Sequence, residues 1–203
     1  SLKSRASNGE IRDVLLSAVL EDDTISGTIV DITDRIRLEQ ELRDSQQTLS
    51  NIFDFLPDAT FAIDTRGTVL AWNKAAEEMT GTKAKDILGK GNYEYALPFY
   101  NERKPILIDL ALSPDKNTEK NYTSLRRSGD ILYGESFAPN LKPGNVHLSA
   151  TASVLRNYKG QIVGAIESIR DNTERKNLEE EIRAISIVDH LTGLYNRRGF
   201  LSL

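Results

Sequence analysis

The sequence predicts an α+β domain over residues 51–171, entered and left by charged amphipathic helices. Short alternating strand patterns open that segment, short helical stretches bounded by glycine or proline fill its middle, and strands close it. Strand, strand, several short helices and an antiparallel meander is a mixed α+β order. A second observation concerns the flanks. Ile29, Asp31, Thr33, Arg35, Leu38, Glu39, Glu41 and Arg43 recur, at an offset of 140, as Ile169, Asp171, Thr173, Arg175, Leu178, Glu179, Glu181 and Arg183. Eight of the fifteen positions from 29 to 43 coincide, which points to tandem units ending in one kind of strand-to-helix junction.

Composition narrows the function classes. The 203 residues carry a formal net charge of -4, with 28% charged and 39% hydrophobic residues, as in an ordinary soluble domain. That balance argues against a nucleic-acid partner and against a polybasic membrane surface. No apolar run approaches the roughly 18 residues of a spanning helix, so no membrane contact is expected within this segment. Cysteine is absent, which removes disulfides, thiolate metal sites and cysteine nucleophiles together and fits a reducing cytoplasm.

Residues 1–33 read as an isolated hairpin, with strands at 14–20 and 25–32 joined by Glu21-Asp22-Asp23-Thr24. Two strands are marginal in water, so frayed or docked strands are expected there. Thr33 and Thr173 read as N-caps, each followed by an acid that suits the positive end of the helix dipole. After Thr33, apolar residues fall at Leu38, Leu42, Leu49, Ile52 and Leu56; after Thr173, at Leu178, Ile182 and Ile185. These spacings fit a heptad seam that pairs two chains, Ser45 being one polar interruption. An ordinary amphipathic helix packed on its own domain is the alternative.

Within the domain, 59–64 alternates as a strand, Thr65-Arg66-Gly67 turns, and 68–72 returns. Asn73 caps a helix over 74–80 that Gly81 closes, and a helix over 83–88 ends at Gly89. A tyrosine-rich stretch (Tyr93, Tyr95, Tyr100) leads to an apolar run at 105–112, read as a short buried helix with a buried strand as the alternative. Strands follow at 121–127, 131–137, 146–156 and 162–171, with Ser128-Gly129-Asp130 turning the first pair.

Leu56-Pro57-Asp58-Ala59, Asp64 with Gly67, Ala71-Trp72-Asn73-Lys74-Ala75-Ala76, Ile87-Leu88-Gly89-Lys90, Arg127-Ser128-Gly129-Asp130 and Asp171 with Thr173-Glu174-Arg175 together resemble a PAS sensory domain. The resemblance covers about 120 residues, from Asn51 to Asp171. It implies a five-stranded antiparallel sheet with short helices over one face, a small cavity, and residues 1–33 as the closing strands of a preceding PAS domain. Downstream, Asp189-His190-Leu191-Thr192-Gly193-Leu194-Tyr195-Asn196-Arg197-Arg198 resembles the opening of GGDEF domains, which condense two GTP into cyclic di-GMP. It implies a parent diguanylate cyclase whose catalytic residues lie beyond Leu203, so this chain is not expected to be the cyclase.

By that resemblance the chain is a regulatory module that senses a small molecule or other signal and passes it to a GGDEF output domain through helices that pair as a homodimer. Trp72, Tyr93, Tyr95, Tyr100 and Arg126 are the candidates for lining a ligand cavity. Asp31, Thr33, Asp171, Thr173 and Arg175 are the candidates for the signal-transmitting junctions, Asp171 tying strand to helix through Arg175. No cofactor is expected. Light-oxygen-voltage flavin adducts and thiol-linked chromophores need a cysteine, and the haem relatives take a histidine from the region 100–112, which has none. His147 shares the outer strand face with Ser149, Thr151 and Ser153, while Val146, Leu148, Ala150 and Ala152 face the core. No metal ligand set is visible. An unidentified small ligand and a ligand-free dimerisation module both remain open.

Overall fold

The computed structural model describes residues 2–5, 9–21, 24–142 and 144–187. The chain divides into two compact units, Ser1–Ile52 and Phe53–Leu203. In the first, β1 (Leu2–Arg5), β2 (Ile11–Glu21) and β3 (Thr24–Asp31) form an antiparallel sheet in the order β1-β2-β3. The expected hairpin therefore gains a third strand, because Leu2 pairs opposite Val14 and Arg5 opposite Ile11. Most of its apolar side chains stay exposed, Leu20 at 68% and Ile25 at 74% among them, while Val14 is half-buried. From it runs α1 (Thr33–Phe55), which buries no residue and carries the exposed Leu38, Leu42, Leu49 and Ile52. Arg35–Glu39 (2.9 Å) and Arg37–Glu41 (3.3 Å) pair along its surface, worth about 0.3–0.5 kcal/mol each.

The second unit begins with β4 (Ala59–Asp64) and β5 (Val69–Trp72). Then come α2 (Lys74–Thr80), α3 (Ala84–Ile87), a 3-10 turn at Glu94–Ala96, α4 (Leu97–Tyr100), α5 (Leu107–Leu112) and α6 (Lys116–Glu119). The strands β6 (Ser124–Ser128), β7 (Ile131–Lys142), β8 (Gly144–Arg156) and β9 (Ile162–Asp171) close it, and α7 (Thr173–Ile187) leaves. The sheet has six strands in the order β5-β4-β9-β8-β7-β6, not five. The turn at Gly129, with φ 60°, folds β6 back along β7 and adds one edge strand. No helix among the described residues is long and apolar enough to cross a membrane.

The core lies between one sheet face and the helices. Phe61, Ile63, Leu148, Ala150, Ala152, Ala165 and Ile169 face Phe99, Leu107, Ile108 and Leu110. Phe61 sits 5.3 Å from the Trp72 ring, 5.6 Å from Tyr95 and 6.2 Å from Phe99, distances at which aromatic rings attract beyond their buried area. At the β4–β9 pairing the backbones approach so closely that a Cβ on Gly164 would meet the Ile63 carbonyl oxygen at 2.1 Å. Only glycine fits there.

Asn73 joins the start of the domain to its sheet. Its Oδ1 accepts the amides of Thr60 (2.9 Å) and Ala76 (2.8 Å), capping α2 as the sequence predicts. Its Nδ2 donates to the carbonyls of Phe53, Leu56 and Asp58, the last at 3.0 Å. The residue is fully buried, so truncation strands two amides away from water. Asn73→Ala is expected to cost about 3 kcal/mol in urea unfolding of the intact chain. A loss below about 1 kcal/mol would show that these contacts are replaceable.

Candidate functional site

Two places gather polar chemistry: the inner face of the sheet under α5, and the junctions where a strand becomes a helix. Under α5 the first turn is held by two carboxyls. Asp109 Oδ2 accepts the Ile106 amide at 2.8 Å, and its Oδ1 accepts the Tyr95 hydroxyl at 2.6 Å. From the sheet, Glu167 Oε2 accepts the Ile108 amide at 2.9 Å. Glu167 is 1% exposed, on the same face of β9 as Ala165 and Ile169. Tyr100 shares a 3.0 Å hydrogen bond with Ser136, and the Tyr122 ring lies where a Cβ on Gly134 would sit, 2.7 Å from its Cδ1.

Burial governs the electrostatics of this cluster. It pushes the Glu167 carboxyl from 4.5 up to about 8; the Ile108 amide opposes that shift and the Asp109 charge adds to it. Burial also raises Asp109, against the Tyr95 and Ile106 hydrogen bonds that lower it. The Tyr100 phenol is pushed up to about 12 by burial and by Glu167, Tyr122 is raised by the same causes, and Tyr95 is raised by burial first and then by the charge and hydrogen bond of Asp109. At neutral pH the site therefore holds a neutral carboxylic acid among neutral phenols.

Of the residues proposed from sequence to line a ligand cavity, four fall near this region. Trp72 is buried and donates its indole N–H to the Thr82 carbonyl at 3.1 Å. Tyr95 is buried, Tyr100 packs against Phe99, and Tyr93 meets Tyr95 edge-on at 6.2 Å. A groove of about 590 Å³ reaches Tyr93, Tyr95 and Asp109 from Arg66, Pro105 and Asp115. Arg126 does not join them: it is exposed on β6, over the Tyr133 ring at 4.8 Å. Sequence reasoning missed Glu167, Asp109 and Tyr122. The signal was present in the strand phase, since Glu167 alternates with Ala165 and Ile169 on the side that must face the core.

The junctions are built alike. Asp31 Oδ1 accepts the Thr33 amide at 3.0 Å, and Asp171 Oδ1 accepts the Thr173 amide at 3.0 Å. Thr33 Oγ1 accepts the Asp13 amide at 2.9 Å, and Thr173 Oγ1 accepts the His147 amide at 3.0 Å. Asp13 and His147 correspond, because Val14 lies opposite Asp31 and Leu148 opposite Asp171. The threonines thus open their helices at the first helical residue rather than as caps. Their hydroxyls satisfy the neighbouring strand, and the aspartates satisfy the helix amides. The Thr33 hydrogen bonds hold the Asp31 carboxyl below its ordinary value. Arg175 reaches Glu179 at 3.2 Å, so the Asp171 tie runs through the Thr173 amide rather than through Arg175 as expected. Leu178 and Ile182 are exposed on α7; the Ile185 side chain lies outside the described residues.

The Glu167 shift fixes a sign for stability. Below pH 4.5 both folded and unfolded chains hold the proton. Between there and about 8 only the folded chain does, so stability falls as pH rises through that window and levels off above it. Urea unfolding at pH 5 and pH 8 should show this decline, and Glu167→Gln should flatten it while raising stability at pH 8. An equal decline in the variant would assign the effect to other groups.

Comparison with known proteins agrees with this architecture. The family model described as PAS fold matches residues 47–171. Among curated proteins, the chain is 26% identical over 145 residues to the cyclic di-GMP phosphodiesterase PdeR of Escherichia coli, covering 71% of this chain and 20% of that protein. It is 26% identical over 147 residues to the signal transduction histidine-protein kinase AtoS of Escherichia coli, covering 71% and 21%. The chain thus spans about a fifth of the length of these relatives. Among solved structures, the PAS domain of BvgS from Bordetella pertussis aligns with a TM-score of 0.46 and 18% identity, over 72% of this chain and 99% of that one. The match over residues 47–171, more than half of the sequence, makes this chain a member of the PAS family.

Proposed function

We propose that the chain is a sensory and regulatory PAS module that passes its state through α7 to a GGDEF output domain. The observation that carries this reading is the duplicated junction: two strand-to-helix exits with the same four hydrogen-bonding roles, each launching a charged helix. The output assignment rests on the resemblance of residues 189–198, which lie outside the described residues. The relative PdeR, named a cyclic di-GMP phosphodiesterase, is in keeping with that signalling chemistry.

On this reading β1–β3 are the closing strands of another PAS domain. Superposing the two registers puts Leu16, Leu20, Ile25 and Ile29 where the second unit carries Ala150, Val154, Ala165 and Ile169. These are the positions that face helices in a complete domain, and here they form an exposed apolar sheet face. The chain works as a homodimer, its α1 and α7 seams pairing with those of a second copy. The tight fit of Tyr122 over Gly134 favours a second reading, a module whose cavity is filled by its own side chains.

Two experiments test these assignments. With a complete GGDEF domain joined after Leu203, Asp171→Ala and Thr173→Val each remove about 1 kcal/mol of hydrogen bonding. That is small against the stability of a domain and comparable to a typical coupling of about 1–3 kcal/mol. Both variants should melt within a few degrees of the parent and lose regulation of cyclic di-GMP synthesis; unchanged regulation would leave the junction a mere linker. Separately, Leu42→Glu with Leu49→Glu should halve the mass seen by light scattering with the circular dichroism of the sheet preserved. An unchanged dimer would refute the seam.

A further inference from the structure

We propose that Glu167 makes the PAS core proton-responsive, its carboxyl holding α5 to the sheet when neutral and loosening that hold when ionised. The inference rests on the sensory reading above and names the stimulus that the same core would read. It begins with the surroundings of the side chain. Its partners on the adjacent strands are Phe61 on β4 and Ala152 on β8, both apolar and buried. From the helical layer it faces the Ile108 amide and the Asp109 carboxyl of α5. The phenols of Tyr95, Tyr100 (on α4) and Tyr122 (after α6) also feel its charge. Among the described residues no lysine, arginine or histidine pairs with it.

A buried carboxylate without a cation is costly, and one beside a second carboxyl more so. The neutral acid avoids that cost and still accepts the Ile108 amide. When the proton leaves to solvent water, the Ile108 hydrogen bond strengthens but offsets only part of the burial cost, and the rest is relieved by water entering or by α5 moving off the strand. That helix is a single six-residue element placed between Pro105 and Pro114, packed on β7, β8 and β9. Glu167 is four residues before Asp171 on the strand that ends at the output junction. The site belongs to this domain alone: at the corresponding place in β3 stands Gly27, opposite Ala18 as Glu167 is opposite Ala152. With its midpoint near 8, the ionised fraction rises about fivefold between pH 7 and 8.

The test is a pH titration of the 203-residue chain with carbon-13 in the glutamate carboxyls, followed by NMR from pH 5 to 9.5. One carboxyl is expected to titrate near 8, far from the ordinary value of about 4.3, and the amides of Ile108 and of residues 171–175 should shift with the same midpoint. Glu167→Gln should abolish both transitions. If every glutamate carboxyl finishes titrating below about pH 6, the proposal is overturned. It is equally overturned if a late carboxyl titrates while those amides stay still, or if the amides move alike in the variant. Should the variant not fold, coincidence of the two midpoints in the parent chain decides alone. No output domain is involved, so this result stands apart from the cyclase experiment.

Discussion

The sheet of the second unit depends on one central strand, β9. It is hydrogen-bonded on both edges, to β4 through Ala59–Ile169 to Asp64–Gly164 and to β8 from Leu148–Asp171 to Arg156–Ile162. This pairing brings the first strand of the domain beside the last and so joins residues more than a hundred positions apart in one open sheet. Gly164 is the local condition for it, since any side chain there would strike the Ile63 carbonyl. Beyond that point β9 contributes Ala165, Glu167 and Ile169 to the core, and then delivers the chain to α7. One strand thus holds the closure of the fold, its buried acid and its exit.

The two units share the chemistry of that exit and differ in what lies above it. A carboxylate accepting a helix amide and a hydroxyl accepting a strand amide satisfy groups that a helix start otherwise leaves open. Asp13 and His147, the strand partners, are unrelated side chains because only their backbone amides take part. This explains why the repeat is visible at 29–43 and 169–183 but fades in the preceding strands. Conserving the junction needs two side chains, whereas conserving a sheet face needs only apolar character.

Much of this was legible beforehand. The hydrophobic alternation placed β4, β7, β8 and β9, and Asn73 and Gly81 bounded α2, because period and capping are local properties. The expected count of five strands came from family resemblance, although the residue pattern itself marked the segment that becomes β6. The site was read less well. Searching for aromatic and basic residues found Tyr95 and Tyr100 but also Arg126, which points to solvent over Tyr133. Glu167 looked like one acid among thirty. Its phase with Ala165 and Ile169 marks it as inward, the register of β9 bears that out, and a one-residue slip would have turned it to water.

The attachments of α7 also constrain what it can report. Its first residues are tied to β9 through Asp171 and to β8 through Thr173 and the His147 amide, and Lys176 reaches Glu135 on β7 at 3.1 Å. Three neighbouring strands therefore hold one helix turn. A movement of β9 alone is resisted by its ladders on both sides. What it can follow is a change of twist across β7, β8 and β9, because that moves the three anchors by different amounts. The same three strands carry the packing of α5. On the proposal that Glu167 loosens α5, these three strands are the shared support through which that change would reach the start of α7.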